Sequence, residues 1–140
     1  MAALEGLTAE LRLRLSGADA HYGGGLVSGA RGLEILGDVV TELAVRSDGD
    51  EGLFAGYSAI EFLAPLRAGD FVRARGRLVG VGRSSRTVEL ELWKEIASRP
   101  DVGPSAADVL EPAVLATRAT GTYVVRPEQR RGPGGCRAGG

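Results

Sequence analysis

Residues 19–46 decide the fold of this chain: DAHYGGGLVSGARGLEILGDVVTELAVR. The stretch reads as a polar turn with three consecutive glycines, then a helix of about five turns that ends near Arg46. Apolar residues at three- and four-residue spacing mark one buried stripe: Leu26, Ala30, Leu33, Leu36, Val40, Leu43 and Ala44. Amide N–H groups at a helix start are unpaired and partially positive, and glycines let a ligand approach them closely. The sequence therefore predicts a helix opened by Gly23, Gly24 and Gly25 that binds an electron-rich group.

Length and composition indicate one globular domain. The 140 residues are 44% hydrophobic and 25% charged, with a net charge of −1, which gives no support to nucleic-acid binding. No window approaches the roughly eighteen apolar residues of a membrane span, and no secretory signal is visible, so a cytoplasmic location and no membrane partner are expected. The single cysteine, Cys136, has no partner for an internal disulfide. One histidine and one cysteine also make no zinc site, so no metal is expected.

Alternating polar and apolar residues predict strands on both sides of the helix. The expected strands are residues 10–15, 53–63, 71–81, 86–96 and 113–125. Residues 82–85 form a tight turn between two of them, which predicts an antiparallel hairpin. Residues 98–112 contain three prolines and are expected to be a long loop. One strand, one long helix and four further strands predict the α+β class: a five-stranded antiparallel sheet wrapped around one central helix, the hotdog fold.

The expected domain spans residues 9–125. Residues 1–8 give weak structural signals and are predicted to be a flexible N-terminus. Residues 126–140 are rich in Arg, Gly and Pro and are predicted to be a disordered tail. Because an open sheet has edge strands that need protection, pairing with a second copy is expected, as a homodimer or a higher assembly of dimers.

Four stretches carry a resemblance to a known family. They are DAHYGGGLVSGAR with GDVVTEL, DGDEGLFAGY, EFLAPLRAGDFV and SRPDVGPSAADVLEPAVLATRATGTYVV, which together cover most of residues 10–125. They resemble the hotdog-fold acyl-CoA enzymes and, more narrowly, the β-aminoacyl-CoA ammonia lyases that act on 3-aminobutyryl-CoA and β-alanyl-CoA. The resemblance implies reversible elimination of ammonia from a short 3-aminoacyl-CoA to give the 2-enoyl-CoA. Coenzyme A would be part of this small-molecule thioester substrate, with no separate cofactor.

One departure from commoner relatives supports a lyase. Thioesterases that resemble the 4-hydroxybenzoyl-CoA type place a catalytic aspartate directly before a Gly-Gly segment. Tyr22 occupies that position here, and a phenol is not ionised at neutral pH. This difference counts against plain thioester hydrolysis.

The elimination requires a base for the proton beside the carbonyl, stabilisation of the enolate oxygen and departure of the amine. The amides of Gly23, Gly24 and Gly25 are predicted to hold that oxygen, although the glycines could instead permit a tight turn. His21 is the only imidazole and lies beside them, suited to proton transfer or to a structural hydrogen bond. Tyr22 either donates a hydrogen bond to substrate or packs.

Carboxylates are the other candidates for proton transfer. Glu61 points away from Ile60 and Phe62; on a buried face it would be a desolvated general acid or base, and on the open face a surface charge. Asp38 and Glu42 share one helical face, which is either a solvated or dimer-facing stripe or, for Asp38, the place where the substrate ammonium is held.

The turn of Arg83, Ser84, Ser85 and Arg86 is basic and bears hydroxyl groups, so it suits the phosphates of coenzyme A, or it is plain surface charge. The site is expected between two subunits, with the helix start from one and Glu61 or the Arg83 turn from the other. Three alternatives remain open: a thioesterase for acyl-CoA or acyl-carrier protein, an amine-adding enzyme of β-amino-acid natural-product biosynthesis, and a non-catalytic acyl-CoA-binding subunit.

Overall fold

A computed structural model describes residues 4–133. These residues form one long helix and seven strands, with three short 3-10 turns. The elements in chain order are β1 (Thr8–Arg14), β2 (Leu26–Val27), α1 (Gly29–Asp48), β3 (Leu53–Phe62), β4 (Leu66–Arg67), β5 (Phe71–Val81), β6 (Ser85–Ser98) and β7 (Ala107–Val124). The turns lie at Gly17–Asp19, Gly23–Gly25 and Pro127–Gln129.

Five strands form one antiparallel sheet in the order β1-β5-β6-β7-β3, and β2 pairs with β4 in a separate two-stranded ladder. The helix packs on one face of the large sheet, mostly against β5 and β1. The predicted α+β architecture, with one long helix on a five-stranded antiparallel sheet, is confirmed.

The core lies between α1 and the sheet. The helix contributes Ile35, Leu36, Val39, Val40, Leu43 and Ala44, all buried. The facing strands contribute Val72, Ala74, Leu78, Val88, Leu90, Leu92, Ala116, Ala119 and Tyr123. Each fully buried Leu or Val side chain contributes about 1.5–3 kcal/mol. The approach is close at Gly76, where an added Cβ would lie 2.8 Å from Val39 Cγ1.

The helix begins later than predicted. Gly23–Gly25 form a separate 3-10 turn, β2 follows, and α1 starts at Gly29 with Ser28 as its N-cap. The prediction that the three glycines open the helix is therefore wrong. Gly24 and Gly25 have φ values of 72° and 74°, a left-handed conformation that ends any right-handed helix.

The β6–β7 hairpin is longer than predicted. Its strands pair as far as Ser98 and Ala107, so the proline-rich loop shrinks to residues 99–106. Pro112 lies in an interruption of the ladder between the pairs Lys94–Val114 and Ile96–Val109. A proline in such an interruption loses no ladder hydrogen bond, so the sequence signal for a loop was misleading.

Both ends of the described chain pack against the domain. Gly6 N donates to Leu78 O at 2.7 Å, and Arg131 N donates to Asp48 O at 2.8 Å. Part of each predicted flexible end is therefore attached to the fold. Residues 1–3 and 134–140, including Cys136, lie outside the described residues. Among residues 4–133, α1 is not apolar enough over a sufficient length to cross a membrane.

Strand β3 is a free edge of the sheet that exposes apolar side chains. It pairs only with β7 within the described chain. Leu53 is 65% exposed at its beginning and Phe62 is 58% exposed at its end. Such an edge is a ready surface for pairing with another chain.

Candidate active site

A groove of about 500 Å³ lies where α1 begins. Its walls are the turn before α1, the first turn of α1 itself, and the chain from the end of β3 to β4. The apolar part of the wall includes Leu26, Val27, Phe62, Leu63, Pro65 and Leu66. Three polar side chains also line it, those of Tyr22, Ser28 and Thr117. A small, mostly apolar groove with few polar groups is typical of a site for a small ligand.

The backbone carbonyl groups of the glycine turn beside the groove accept hydrogen bonds from β4 and the residue after it. Arg67 Nη1 donates to Gly24 O at 3.0 Å, and Ala68 N donates to Gly25 O at 2.8 Å. Tyr22 N donates to Leu26 O at 3.2 Å. Gly23, Gly24 and Gly25 themselves do not line the groove. The glycines therefore shape the entry to the helix, and the amides that face the groove belong to the next segment.

Those amides are the first two of α1. Ser28 Oγ accepts from Arg31 N at 3.2 Å and caps the helix. Gly29 and Ala30 both line the groove, and neither N–H has a hydrogen-bond partner among the described residues. Two unpaired donors at the positive end of a 20-residue helix favour an electron-rich group.

The Phe62 ring closes the groove over the helix start. A Cβ added at Gly29 would lie 2.6 Å from Phe62 Cε1, so the ring packs directly on this glycine. A larger residue at position 29 would displace the ring. The close packing of the Phe62 ring on the backbone therefore requires glycine at position 29.

Thr117 was missed by the sequence analysis. Its side chain is on the face of β7 that packs against α1, since Thr117 pairs with Leu92 of β6, which is fully buried. Thr117 is 3% exposed and lines the groove, and its hydroxyl makes no hydrogen bond within the described residues. The signal was present only as part of the ATRATGT segment, whose register is not fixed by the sequence.

Tyr22 and His21 take different positions. Tyr22 lines the groove and is 59% exposed, and it is the only titratable side chain among the described lining residues. His21 is exposed, does not line the groove, and makes no side-chain hydrogen bond within residues 4–133. The structure places both beside the helix start but brings only Tyr22 to the groove.

Asp38 lies away from the groove. It is exposed on α1, two and a half turns after Gly29, roughly 14 Å along the axis. The neighbouring charges are paired: Arg46 Nε donates to Glu42 Oε2 at 2.7 Å.

Arg31 ties the segment before the helix to α1. Its Nε donates to Asp19 Oδ1 at 2.7 Å, and its Nη1 also pairs with Glu34. The backbone hydrogen bond from Ser16 is the largest cause that holds the pKa of Asp19 below its ordinary value. Desolvation opposes it, and the Arg31 guanidinium lowers the pKa further. Asp19 therefore acts as an anchor for the loop that carries Tyr22.

Glu61 lies on the opposite face of the sheet from α1. It pairs across the strands with Arg118, whose Nε and Nη2 donate to Glu61 Oε1 at 3.0 and 2.8 Å. Both side chains are about half exposed. Of the two predicted placements, one chain therefore shows the open face for Glu61, because Phe62 takes the face toward the helix; its role as an acid or base stays a prediction.

The Arg83 turn lies near the other end of α1, which is about 30 Å long. Arg83 and Ser85 are exposed and Ser84 is half-buried. Arg86 is buried and bound to Asp48, so it is not available to a phosphate. Within one chain the turn of Arg83, Ser84 and Ser85 does not reach the groove.

A second cavity of about 790 Å³ lies between the end of β1, the start of β5 and the distal part of the β6–β7 hairpin. Two carboxylates line it, Glu111 and Glu95, and Glu95 is paired with Arg12 at 2.9 Å and with Arg73 at 3.2 Å. Arg14, whose guanidinium lies 5.4 Å from the centroid of the Phe71 ring, also lines it, and no residue of α1 does. No group of three or more His, Cys, Asp or Glu that could hold a metal ion occurs among residues 4–133.

Comparisons with known proteins show the family to which this chain belongs. A family model described as the Thioesterase superfamily matches residues 24–98, more than half of the chain. The 3-aminobutyryl-CoA ammonia lyase of Acetoanaerobium sticklandii is 49% identical over 121 residues, which are 86% of this chain and 96% of the relative. The structure of the β-alanyl-CoA:ammonia lyase of Clostridium propionicum has a TM-score of 0.88 at 42% identity, covering 92% of each chain.

A more distant structure shares the fold alone. The hexameric thioesterase of Yersinia pestis has a TM-score of 0.69 at 23% identity, over 91% of this chain and 95% of that one. The resemblance drawn from the sequence is thereby confirmed in its hotdog fold and in its family. This chain belongs to the hotdog-fold thioesterase superfamily and, within it, to the family of the β-aminoacyl-CoA ammonia lyases.

Proposed function

We propose that this protein is a carbon–nitrogen lyase that reversibly eliminates ammonia from a short 3-aminoacyl-CoA, such as 3-aminobutyryl-CoA or β-alanyl-CoA, to give the 2-enoyl-CoA. The observation that carries the proposal is the 49% identity to a 3-aminobutyryl-CoA ammonia lyase across nearly the whole of that relative. The groove at the start of α1 gives this activity a chemical basis.

The free amides of Gly29 and Ala30 hold the thioester oxygen. A base removes the proton from C2, and the electron pair of that C–H bond develops as an enolate on the oxygen, where two preorganised N–H donors stabilise it. The leaving amine is in its ammonium form. As the pair forms the C2–C3 double bond, the C3–N bond breaks and its electrons leave with nitrogen as neutral ammonia. The base keeps the proton from C2, so charge and atoms balance.

The size and polarity of the groove suit a short acyl chain. Its volume of about 500 Å³ and its apolar wall accommodate a small acyl group while the coenzyme A moiety extends outward. Among the described residues that line the groove, only Tyr22 has a titratable side chain that could exchange a proton. A group from outside the groove, from His21 or from a second copy of the chain, is therefore required for proton transfer.

A homodimer formed through the free edge of β3 supplies the second copy. Two β3 strands pairing antiparallel would bring the beginning of one strand next to the end of the other, which borders the groove. The Arg83 turn lies beside the beginning of β3, since Ser85 and Leu53 both pair with Val124. Arg83, Ser84 and Ser85 of a second copy thus remain candidates for the coenzyme A phosphates.

Further properties remain predictions. A higher assembly of dimers is one of them, as in the Yersinia thioesterase, which is described as hexameric. A cytoplasmic location and the lack of a cofactor beyond the substrate's own coenzyme A follow from the sequence and the chemistry alone. The roles of His21, Tyr22 and Asp38 also await a test.

One assay tests the activity. Crotonyl-CoA and ammonium are incubated with the protein, and the products are examined by mass for the amine adduct and with a thiol reagent for free coenzyme A. We expect adduct without thiol release. Thiol without adduct would instead identify a thioesterase, and neither product would leave an acyl-CoA-binding subunit. The Cys136→Ser variant is the matched control, because it removes the protein's own thiol from the background.

A further inference from the structure

Thr117 is a buried residue whose hydroxyl opens on the groove. Thr117 is 3% exposed and makes no hydrogen bond within the described residues. Its oxygen is not fully enclosed by the protein, so a molecule in the groove can reach it. Valine has the same shape and suits a strand at least as well. The hydroxyl is therefore the one feature that distinguishes this position from an apolar one, and it is available to a molecule that enters the groove.

The depth of Thr117 indicates which part of a substrate it meets. A Cβ placed on Gly32 would lie 3.8 Å from Thr117 Oγ1, so the hydroxyl faces α1 one turn beyond the free amides of Gly29 and Ala30. If those amides hold the thioester oxygen, the hydroxyl lies roughly 5 Å further along the helix. In a 3-aminoacyl thioester the group beyond the carbonyl is the amine on C3.

We propose that the Thr117 hydroxyl accepts a hydrogen bond from the 3-amino group of the substrate and thereby sets the preference for amine at C3; this inference rests on the proposed lyase function. A threonine hydroxyl has lone pairs that accept from an ammonium or amine N–H. The other side chains near this depth, those of Val27, Phe62 and Leu66, are apolar. Thr117 thus provides a side-chain acceptor where the amine arrives and leaves.

The addition of ammonia to crotonyl-CoA distinguishes the contact between Thr117 and the amine from binding of the rest of the substrate. At saturating crotonyl-CoA, the KM for ammonium reports the amine contact, whereas the KM for crotonyl-CoA reports the thioester and coenzyme A contacts. Hydrogen bonds to charged groups correspond to effects of about tenfold to a hundredfold. We expect Thr117→Val to raise the ammonium KM by that factor and to change the crotonyl-CoA KM less than about twofold. Thr117→Ser keeps the hydroxyl and should retain most of the wild-type ammonium KM.

Thr120→Val is the matched control. Thr120 is on the opposite face of β7 from the groove, so the same substitution there should alter neither KM. Thermal unfolding shows that each variant is folded, and Thr117→Ala gives the same readout if the valine variant is not.

The outcomes distinguish the two proposals. A wild-type protein that forms no adduct would overturn the lyase function and this inference with it. An active wild type whose ammonium KM is unchanged in Thr117→Val, or whose two KM values rise together, would overturn the role of Thr117 alone. A serine variant that behaves like the valine variant would do the same.

Discussion

The polar groups at the two ends of α1 differ in whether they have hydrogen-bond partners within the protein. At the C-terminal end, Arg86 Nη2 and Nε bind the two oxygens of Asp48 at 2.9 and 3.2 Å, and Ser47 Oγ lies 2.8 Å from Tyr123 OH. The remaining Arg86 nitrogen donates to Gly82 O at 2.8 Å. At the N-terminal end, two amides and the Thr117 hydroxyl line a groove without partners among the described residues.

This difference separates structure from function within one helix. The side chains of Arg86, Asp48, Ser47 and Tyr123 satisfy one another, which stabilises a unique packing. Arg130 Nε, 3.9 Å from Asp48 Oδ1, is the one side-chain atom beside them that is buried without a hydrogen-bond partner among the described residues. Burial of the Tyr123 ring within that network raises the pKa of its phenol, in keeping with a closed interior. Unpaired donors beside a cavity have the reverse meaning, since they are free to bind what enters.

The largest effect is expected at the closed end. Arg86→Met removes the two hydrogen bonds to the buried Asp48 carboxylate and leaves only Arg130 Nε, 3.9 Å away, as a nearby cation, which costs about 3 kcal/mol in the free energy of unfolding. Urea denaturation measures the loss. The control is Arg77→Met, which removes an exposed pair with Glu89 at 3.7 Å and should change stability by less than about 1 kcal/mol. Equal losses in the two variants would contradict the structural role of the Arg86 network.

The next effect is expected at the open end. Ala30→Pro removes one free N–H, and proline is tolerated in the first turn of a helix because that N–H is not part of the helical ladder. Loss of one oxyanion donor should lower kcat about 10²- to 10³-fold. Steady-state kinetics of ammonia release measure the effect, and thermal unfolding should remain close to that of wild type.

Ala30→Ser is the matched control for Ala30→Pro. Position 30 is exposed, and serine keeps the amide N–H. Its kcat should therefore stay near the wild-type value. If serine and proline at position 30 were equally active, the free N–H of this residue would have no part in the reaction.

The smallest effect is expected on the outer face of the sheet. Glu61→Gln breaks a half-exposed pair with Arg118, a change worth about 0–1 kcal/mol in stability. Because Glu61 faces away from the groove, kcat should change less than about twofold. A large fall in kcat with unchanged stability would show that Glu61 acts in the reaction, through an arrangement that one chain does not contain.

The sequence was sufficient for the architecture because periodicity reports which residues share a face. The spacing of Leu36, Val40 and Leu43 predicted the buried side of α1, and alternation predicted β5 without error in its bounds. The helix start was misplaced because Leu26 continues the apolar spacing. Ser28, a strong N-cap residue after a glycine run, was the signal that could have corrected it.

The site was less predictable because it depends on register and tertiary pairing. Alternation showed that Glu61 opposes Phe62, but only the pairing of Phe62 with Thr117 decides which of them faces the helix. Arg86 was grouped with the exposed Arg83 turn, since its burial depends on Asp48, far away in sequence. For the same reason Thr117 carried no signal of its own.

The central claim is that the free amides of Gly29 and Ala30 bind the thioester oxygen. Isotope-edited infrared difference spectroscopy of bound crotonyl-CoA, labelled with carbon-13 at the thioester carbonyl, tests it most directly. Hydrogen bonding to that oxygen weakens the C=O bond and lowers its stretching frequency. We expect a band below its solution position in wild type and Ala30→Ser, and a shift back toward the solution position in Ala30→Pro. A band at the solution position in wild-type protein, with ligand bound, would contradict the account.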